Sequence, residues 1–349
     1  MTNLNNVTII SQGKETTGIN RYAISLFRAF PNNADLIFVK FRKEHGLYSL
    51  GKVIEGRFPY GNSSLNLNTI FAKTSFSRFL EELNKEKKNG NIVHVASPHV
   101  LSIFSSIADI VTIHDLYPFI RRESFNLEYL YTKKSIKKYF QVENVVTNSE
   151  YIKNLLEEFD IGAKVTRIYP YISPVFHQLG DKISLRKKFG LPLNKKLLLS
   201  VSTNIKRKNL GILPDILNKL GNEYKLVRVG PLISNEIKID VHSDEELNEV
   251  YNACDIFISP SLDEGFGYPV AEAMSCGLPL VLSDIPVHRE IAANLGNYFD
   301  LSDINQAKTA VYESQNISII SQDRKKNLER FGIKEFKKNM TEYYNNIRK

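Results

Sequence analysis

Two glutamates, Glu264 and Glu272, enclose a glycine-containing segment with the sequence E-G-F-G-Y-P-V-A-E. Gly265 and Gly267 allow the backbone to come close to a ligand, and Pro269 is typical of the first position of a helix. The unpaired N–H groups and the dipole at such a helix start favour an anion such as a phosphate. Two carboxylates beside a phosphate need neutral hydroxyls as partners, and sugar hydroxyls on each side of a diphosphate meet that need. The segment therefore indicates a nucleotide-sugar site.

Apolar runs of strand length precede and follow this segment, at residues 256–258 and 280–282. Both runs are too short for helices and are typical of strands that are buried on both faces. Gly277, followed by Pro279, predicts the end of the helix between them. The order strand, glycine loop, short helix and strand is typical of half of a nucleotide-binding α/β fold.

The segment resembles the signature of the retaining family-four glycosyltransferases, also called glycosyltransferase group 1. The similarity continues upstream through D-E-E-L-N-E-V-Y-N-A-C-D-I-F-I-S-P-S and downstream through S-D-I-P-V-H-R-E, at fixed spacing. The resemblance implies an α/β protein of GT-B architecture, with two Rossmann-like, doubly wound domains. Residues 1–178 would form the N-terminal, acceptor-side domain and residues 179–330 the nucleotide-sugar donor-binding domain. Residues 331–349 would form a C-terminal helix that crosses back to the N-terminal domain.

The resemblance also implies roles for the residues of the segment. Glu264 would hold hydroxyls of the transferred sugar, and Glu272 would accept a hydrogen bond from the ribose. The remaining donor-binding residues of the segment would be Gly265, Phe266, Gly267 and Tyr268. An exposed helix start with two solvated glutamates is the alternative interpretation.

A basic pair, Arg207 and Lys208, lies between a predicted strand at residues 196–201 and a predicted helix that begins at Leu210. Arginine offers a planar fork and lysine a point charge, and both suit a diphosphate. The resemblance assigns Lys208 to the donor diphosphate. Many relatives carry an arginine where this chain has Ser202, so Arg207 is expected to bind the diphosphate in its place. Ser202 and Asn204 are further candidates, and a solvated run of charges is the alternative.

Three candidates lie in the N-terminal half of the chain. Gly18 matches a glycine through which that domain approaches the donor diphosphate, although a plain turn glycine would look the same. His114 follows a predicted strand at residues 110–113, where α/β sheets bind their ligands. It matches a histidine beside the transferred sugar, and the alternative is a core histidine. Asp115 could orient His114 or its loop.

The resemblance implies transfer of a sugar from a UDP- or GDP-linked donor to a hydroxyl of a glycan or lipid-linked acceptor, with retention of the anomeric configuration. His114 and Glu264 are the candidate catalytic residues. The chain contains no Asp-x-Asp, so no metal is expected, and no cofactor besides the donor substrate. The leaving diphosphate would be neutralised by Lys208, Arg207 and the helix start near Gly267.

Two other functions remain open. A sugar-nucleotide epimerase has a similar two-domain build, although its acid and base residues cannot be placed in this sequence. A catalytically silent protein that binds a nucleotide sugar and supports another transferase is the second alternative.

The 349 residues carry a formal net charge of +8 and include two cysteines. Two cysteines build neither a disulfide framework nor a tetrahedral metal site, which fits a reducing cytosol. No apolar stretch reaches the length of a membrane span. No nucleic-acid motif accompanies the positive charge, so nucleic-acid binding is not expected.

The positive surplus is larger in residues 1–178 and could face an anionic membrane or a polyanionic acceptor. Residues 121–140 contain four lysines interleaved with aromatic and aliphatic residues, most densely at 133–140. This segment is either a helix on a membrane surface or an ordinary amphipathic helix with a solvated face. The expected location is the cytoplasm, at the inner face of the membrane.

Overall fold

The computed structural model describes residues 6–12, 18–44, 47–55, 80–117, 141–158, 162–315 and 321–347. The chain divides into two compact units. Unit 1 contains Met1–Pro170 together with Ile333–Lys349, and unit 2 contains Tyr171–Gly332.

Unit 1 is built on a seven-stranded sheet with the order β3-β2-β1-β4-β5-β6-β7. Its strands are β1 (Val7–Gln12), β2 (Ala34–Glu44), β3 (Leu47–Glu55), β4 (Ile92–Val95), β5 (Ile110–Ile113), β6 (Asn144–Thr147) and β7 (Lys164–Arg167). All neighbours run parallel except β3, which pairs antiparallel with β2. Its first helices are α1 (Gly18–Ala29), α2 (80–88), α3 (Leu101–Phe104) and α4 (Glu150–Glu158). The central strands are buried along their whole length, as their uninterrupted apolar sequences indicate.

The edge strand β3 corrects one expectation. Residues 45–68, with their scattered glycine, asparagine and proline, predict a long irregular loop. Leu47–Glu55 is instead a strand that pairs along its whole length with residues 36–44 of β2, for example Gly51 opposite Lys40. The reason is that pairing with a long neighbouring strand, which local sequence does not reveal, decides the conformation of an edge segment. The sequence also predicts a helix over residues 69–88, of which residues 80–88 are helical and residues 69–79 lie outside the described residues.

Unit 2 contains a six-stranded, fully parallel sheet with the order β10-β9-β8-β11-β12-β13. The strands are β8 (Lys196–Val201), β9 (Tyr224–Val229), β10 (Ile237–Ile239), β11 (Ile256–Ser259), β12 (Leu280–Ser283) and β13 (Gly296–Phe299). The helices are α5 (Lys182–Lys188), α6 (Leu213–Leu220), α7 (Asp244–Ala253), α8 (Tyr268–Ser275), α9 (Pro286–Ala292), α10 (Ile304–Ser314) and α11 (Ser321–Glu329). The order of the strands reverses between β8 and β11. In parallel sheets of this kind ligands bind at the carboxyl ends of the strands at such a reversal.

The segment that leads into unit 2 packs on that unit before residue 179, where the sequence predicts the domain boundary. The N–H of Ile172 donates to Phe331 O at 2.9 Å. Two asparagines of α7 accept from the same segment: His177 N lies 3.1 Å from Asn248 Oδ1, and Leu179 N lies 2.7 Å from Asn252 Oδ1. The division therefore falls after Pro170, because these side chains satisfy backbone groups of the segment.

The last helix, α12 (Ile333–Asn346), belongs to unit 1. Its buried residues Phe336, Met340 and Tyr344 recur every four positions and so share one face. Phe336 packs edge-on against Tyr22 of α1, and Tyr344 OH lies 2.9 Å from Nδ1 of His94 in β4. The predicted α/β architecture with a returning C-terminal helix is confirmed.

Candidate functional site

The loops that follow β8 and β11 meet at the carboxyl edge of the unit 2 sheet, where the strand order reverses. They are joined by a backbone hydrogen bond of 2.7 Å from Leu262 N to Arg207 O. A cavity opens between them, and its polar lining includes Ser200, Ser202, Lys208, Ser261 and Glu264, with Gly267 beside them. The structure therefore brings together several candidates that are far apart in the sequence.

Glu264 is the centre of this arrangement and is only 6% exposed. Lys208 Nζ donates to its Oε1 at 2.5 Å, and Ser261 Oγ donates to the same oxygen at 2.8 Å. The guanidinium of Arg207 lies 3.6 Å from Oε2. The predicted basic pair thus faces the predicted sugar-binding carboxylate directly, whereas a solvated charge run would point away from it.

These contacts fix the charge of the carboxyl group. Burial alone would raise the pKa of Glu264, but the neighbouring Lys208 and Arg207 lower it to about 2. Glu264 is therefore ionised at neutral pH and can only accept hydrogen bonds. A hydroxyl group is a suitable further partner for such a carboxylate.

Gly267 is the N-cap of α8 and has a φ of +82°, in the left-handed region that glycine adopts without strain. The helix begins at Tyr268, one residue before the predicted start, and Pro269 lies within its first turn. No side chain of the cap lies over the helix start, where Pro269 has no N–H and the N–H groups of Val270 and Ala271 donate to Gly267 O at 2.9 Å and 3.4 Å. This leaves the positive end of the helix dipole beside the cavity that Lys208 lines.

Glu272 lies just after the first turn of α8, one residue further along the helix than the predicted start implies. It is the fifth residue of the helix and only 1% exposed. Tyr251 OH, from α7, donates to its Oε2 at 2.9 Å and so orients the carboxylate. The other side chains of the segment pack inside the protein: Phe266 stacks edge-on against Tyr268 and Phe331, with ring centroids 5.2 Å and 5.4 Å away.

The remaining unit 2 candidates lie on the loop after β8. Ser202 is half-buried and lines the cavity, while Asn204 is exposed on the same loop. A short 3₁₀ turn, Lys206–Lys208, ends at Asn209, whose left-handed φ of +50° redirects the chain after the basic pair.

One residue at this site was not predicted from the sequence. Arg228, in β9, is fully buried, and its guanidinium donates to oxygens of Ser200, Ser202 and Pro231. A lone arginine within a strand of apolar residues carries no motif that could have revealed this position.

The unit 1 candidates lie at the carboxyl ends of its own strands. His114 directly follows β5 and is 6% exposed, with Nε2 2.7 Å from Ala96 O and its ring edge-on to Tyr22. Because a carbonyl oxygen only accepts, Nε2 carries the proton and Nδ1 is the acceptor in the neutral ring. Asp115 follows and is half-buried, and Gly18 is the exposed first residue of α1.

Neither a metal site nor a membrane span is found in the described part of the chain. It has no group of three or more metal-ligating His, Cys, Asp or Glu side chains. It also has no helix that is long and apolar enough to cross a membrane. The basic segment at 133–140 lies outside the described residues.

Residues 181–327 match the family model described as "Glycosyl transferases group 1". The O-antigen chain mannosyltransferase RfbU of Salmonella typhimurium is 24% identical over 336 residues, which cover 87% of this chain and 89% of that protein. Among solved structures, Anabaena Alr3699/HepE in complex with UDP-glucose has a TM-score of 0.74 at 15% identity, covering 98% of this chain and 99% of that one. WaaG, a glycosyltransferase involved in lipopolysaccharide biosynthesis, has a TM-score of 0.68 at 13% identity, covering 97% and 99%.

Proposed function

We propose that this chain transfers a sugar from a nucleoside-diphosphate sugar to a hydroxyl of a glycan or lipid-linked acceptor, because residues 181–327 match the family model of the group 1 glycosyltransferases and the chain has the GT-B fold. The transfer retains the anomeric configuration and needs no metal ion. Its setting is the synthesis of a cell-surface polysaccharide or glycoconjugate, in the cytoplasm at the inner face of the membrane.

One observation carries this proposal. Lys208 and the glycine-capped start of α8 converge with the ionised Glu264 around one cavity at the reversal of the strand order, and Arg207 contacts the same carboxylate. Fixed positive charge beside an acceptor-only carboxylate fits a molecule that joins a diphosphate to a ring of hydroxyl groups. Free phosphate would not use Glu264, and a neutral sugar would not use the two cations.

The roles follow from the chemistry of each group. Lys208, Arg207 and the helix start at Gly267 neutralise the charge that grows on the leaving diphosphate. Glu264 accepts hydrogen bonds from hydroxyls of the transferred sugar, and Glu272 accepts a hydrogen bond from a ribose hydroxyl. His114 hydrogen-bonds the sugar on the acceptor side, Asp115 orients its loop, and Gly18 gives the diphosphate room at the start of α1.

The reaction proceeds on one face of the sugar ring. The bond between the anomeric carbon and the phosphate oxygen breaks while the acceptor oxygen forms its new bond on the same face. The departing phosphate takes the acceptor proton, so no side chain has to act as nucleophile or base. The configuration of the anomeric carbon is therefore kept.

The donor is UDP- or GDP-linked. The name of RfbU, a mannosyltransferase, supports mannose as the sugar to test first, and the UDP-glucose in the HepE structure supports glucose as the second. The positive surplus of the N-terminal half supports contact with an anionic membrane that would carry a lipid-linked acceptor.

Incubation of the full chain with radiolabelled GDP-mannose, UDP-glucose or UDP-galactose and a polyprenyl-linked acceptor tests the proposal. The expected result is label in the lipid fraction, with release of one nucleoside diphosphate per sugar transferred and the donor's configuration at the new linkage by NMR. An isomerised donor without transfer would indicate an epimerase, and bound but unchanged donor would indicate a silent partner. Either result would contradict the proposal.

A further inference from the structure

Arg228 is a buried cation whose hydrogen-bond acceptors, among the described residues, are all neutral. Nη1 donates to Ser200 O at 3.0 Å, to Ser200 Oγ at 2.9 Å and to Ser202 Oγ at 3.3 Å. Nη2 donates to Ser202 O at 2.9 Å and to Pro231 O at 3.3 Å. Burying a charge without a counter-charge in contact is costly, so an arginine at such a position calls for a compensating anion.

The side chains that accept hydrogen bonds from this guanidinium form part of the cavity wall. Ser200 and Ser202, which hold four of the acceptor atoms, both line the cavity together with Lys208. Burial lowers the pKa of Arg228, and the carboxylate of Glu236, which accepts from Ile233 N and Ser234 N, opposes that shift. The positive charge of Arg228 therefore lies behind the two serines that line the cavity together with Lys208.

The bond to Ser202 Oγ determines what that hydroxyl can do. A serine hydroxyl has one proton and two lone pairs, and the guanidinium occupies a lone pair. Within the described residues the hydroxyl donates its proton to no protein acceptor. Its O–H is therefore available to donate to a ligand in the cavity, and the adjacent positive charge makes it a stronger donor.

The backbone of Ser202 is also held from the other side. Gly230, in the turn after β9, has a φ of +126°, and a Cβ there would lie 2.1 Å from Ser202 O. Only a glycine permits this approach. The position of Ser202 thus depends on two neighbours. Arg228 holds it by hydrogen bonds, and Gly230 leaves room for its carbonyl oxygen.

The charges of the contacting groups match a nucleotide sugar. Glu264, Lys208 and Arg207 together carry one net positive charge, Arg228 adds a second, and Glu236 in the loop after β9 acts against it. The diphosphate of a nucleoside-diphosphate sugar carries two negative charges.

We propose that Arg228 is a positioning residue for the donor diphosphate: it holds Ser202 so that the serine hydroxyl donates to a phosphate oxygen beside Lys208, and it supplies the second positive charge from behind the wall. The inference rests on the proposed function, because it takes the ligand of the cavity to be a diphosphate.

The test compares the affinity for UDP or GDP, whichever the unmodified chain binds, with the affinity for the corresponding nucleoside. Titration calorimetry suits the nucleotide and ligand-observed NMR the weaker nucleoside. Ser202→Ala removes the hydroxyl that donates the hydrogen bond and leaves the buried arginine unchanged. Thr203→Ala, at an exposed neighbour on the same loop, is the matched control. Arg228→Gln removes the charge, and the double variant S202A/R228Q tests whether the two act together.

Ser202→Ala should weaken nucleoside-diphosphate binding about 3- to 10-fold, the worth of one hydrogen bond, and leave nucleoside binding unchanged. Arg228→Gln should weaken nucleoside-diphosphate binding about 10- to 100-fold, and the double variant should be no weaker than Arg228→Gln. Thr203→Ala should bind both ligands normally. Equal affinity of Ser202→Ala and the unmodified chain would overturn the inference, as would parallel losses for nucleotide and nucleoside, which indicate only a structural role. If the unmodified chain bound neither nucleotide, the proposed function would fall and the inference with it.

Discussion

The ammonium group of Lys208 lies 2.5 Å from Oε1 of Glu264, although the two residues are 56 positions apart in the sequence. These groups neutralise each other, yet the proposed donor would use them for different parts of its structure. Lys208 would face the diphosphate and Glu264 the sugar. The salt bridge therefore links the stability of the site to its affinity for the donor, and the two can be separated by mutation.

Lys208→Ala removes a counter-charge from the buried carboxylate and should lower the free energy of unfolding by about 2 kcal/mol. It should also weaken nucleoside-diphosphate binding at least tenfold. The double variant K208A/E264Q should regain most of the stability, because no unpaired carboxylate remains, but should not regain affinity. Urea denaturation and titration calorimetry measure the two effects. Recovery of affinity in the double variant would mean that Lys208 acts only through Glu264.

The depressed pKa of Glu264 predicts a pH-dependent contribution to stability. Its pKa is about 2 in the folded protein against an ordinary 4.5, because Lys208 and Arg207 outweigh the cost of burial. The contribution is complete above pH 4.5 and is lost as the pH falls towards 2, and the shift corresponds to about 3 kcal/mol. The unfolding free energy of Glu264→Gln should therefore fall less steeply with acid between pH 4.5 and pH 2. Parallel profiles for the two proteins would contradict the assigned ionisation.

Substitutions at Glu272 and Tyr251 should weaken the binding only of ligands that contain a ribose. Glu272→Ala should weaken nucleoside-diphosphate binding about tenfold or more and leave the affinity for inorganic pyrophosphate unchanged, with a smaller effect on turnover at saturating donor. Tyr251→Phe keeps the carboxylate and loses only the 2.9 Å hydrogen bond that orients it, so its loss should be smaller, about 2- to 5-fold. Unchanged nucleotide affinity in Glu272→Ala would show that the ribose binds elsewhere.

His114 should affect turnover rather than donor binding. His114→Ala should reduce kcat roughly tenfold or more while the donor affinity changes little, because the imidazole is assigned to the sugar on the acceptor side. His94→Gln is the matched control in the same unit, since His94 is fully buried between Thr112 and Tyr344. It should lower the melting temperature and leave kcat of the folded fraction unchanged. The assignment fails if the two variants lose kcat equally.

Gly230 and Gly221 form a natural pair for testing the steric contact with Ser202. Both have positive φ values, +126° and +88°, but a Cβ at Gly221 meets no atom within 4 Å, whereas one at Gly230 would lie 2.1 Å from Ser202 O. Gly221→Ala should therefore cost only backbone strain, about 1–3 kcal/mol, because its ψ of −178° lies in a region that is essentially restricted to glycine. Gly230→Ala should cost at least twice as much and should also weaken nucleoside-diphosphate binding, which Gly221→Ala should not. Thermal denaturation and titration calorimetry measure both effects.

The sequence predicts those parts of the fold that local signals determine. The buried runs around residues 256–258 and 280–282 are strands β11 and β12, and Ser243 caps α7 with its Oγ 3.1 Å from Glu246 N. In the usual capping box the glutamate would accept a hydrogen bond from the N–H of the N-cap residue, Ser243. Here Glu246 accepts it from the preceding residue, His242. Short-range periodicity and cap chemistry were sufficient for these elements.

The parts that depend on long-range contacts could not be predicted in the same way. Strand β3 exists because it pairs with β2, and the sequence of residues 45–68 alone resembles a loop. The salt bridge between Lys208 and Glu264 depends on the adjacency of β8 and β11, which follows from topology and not from spacing. Arg228 was missed because a buried arginine inside a strand has no local pattern, and only its contacts with Ser200 and Ser202 reveal it.

The most direct test of the central claim is a crystal structure of the full chain with its nucleoside diphosphate bound. The account predicts phosphate oxygens within hydrogen-bonding distance of Lys208 Nζ and Ser202 Oγ and beside the start of α8 at Gly267, with the ribose near Glu272. A diphosphate bound away from Lys208 and Gly267 would contradict it, because the convergence of charges around Glu264 would then serve some other purpose.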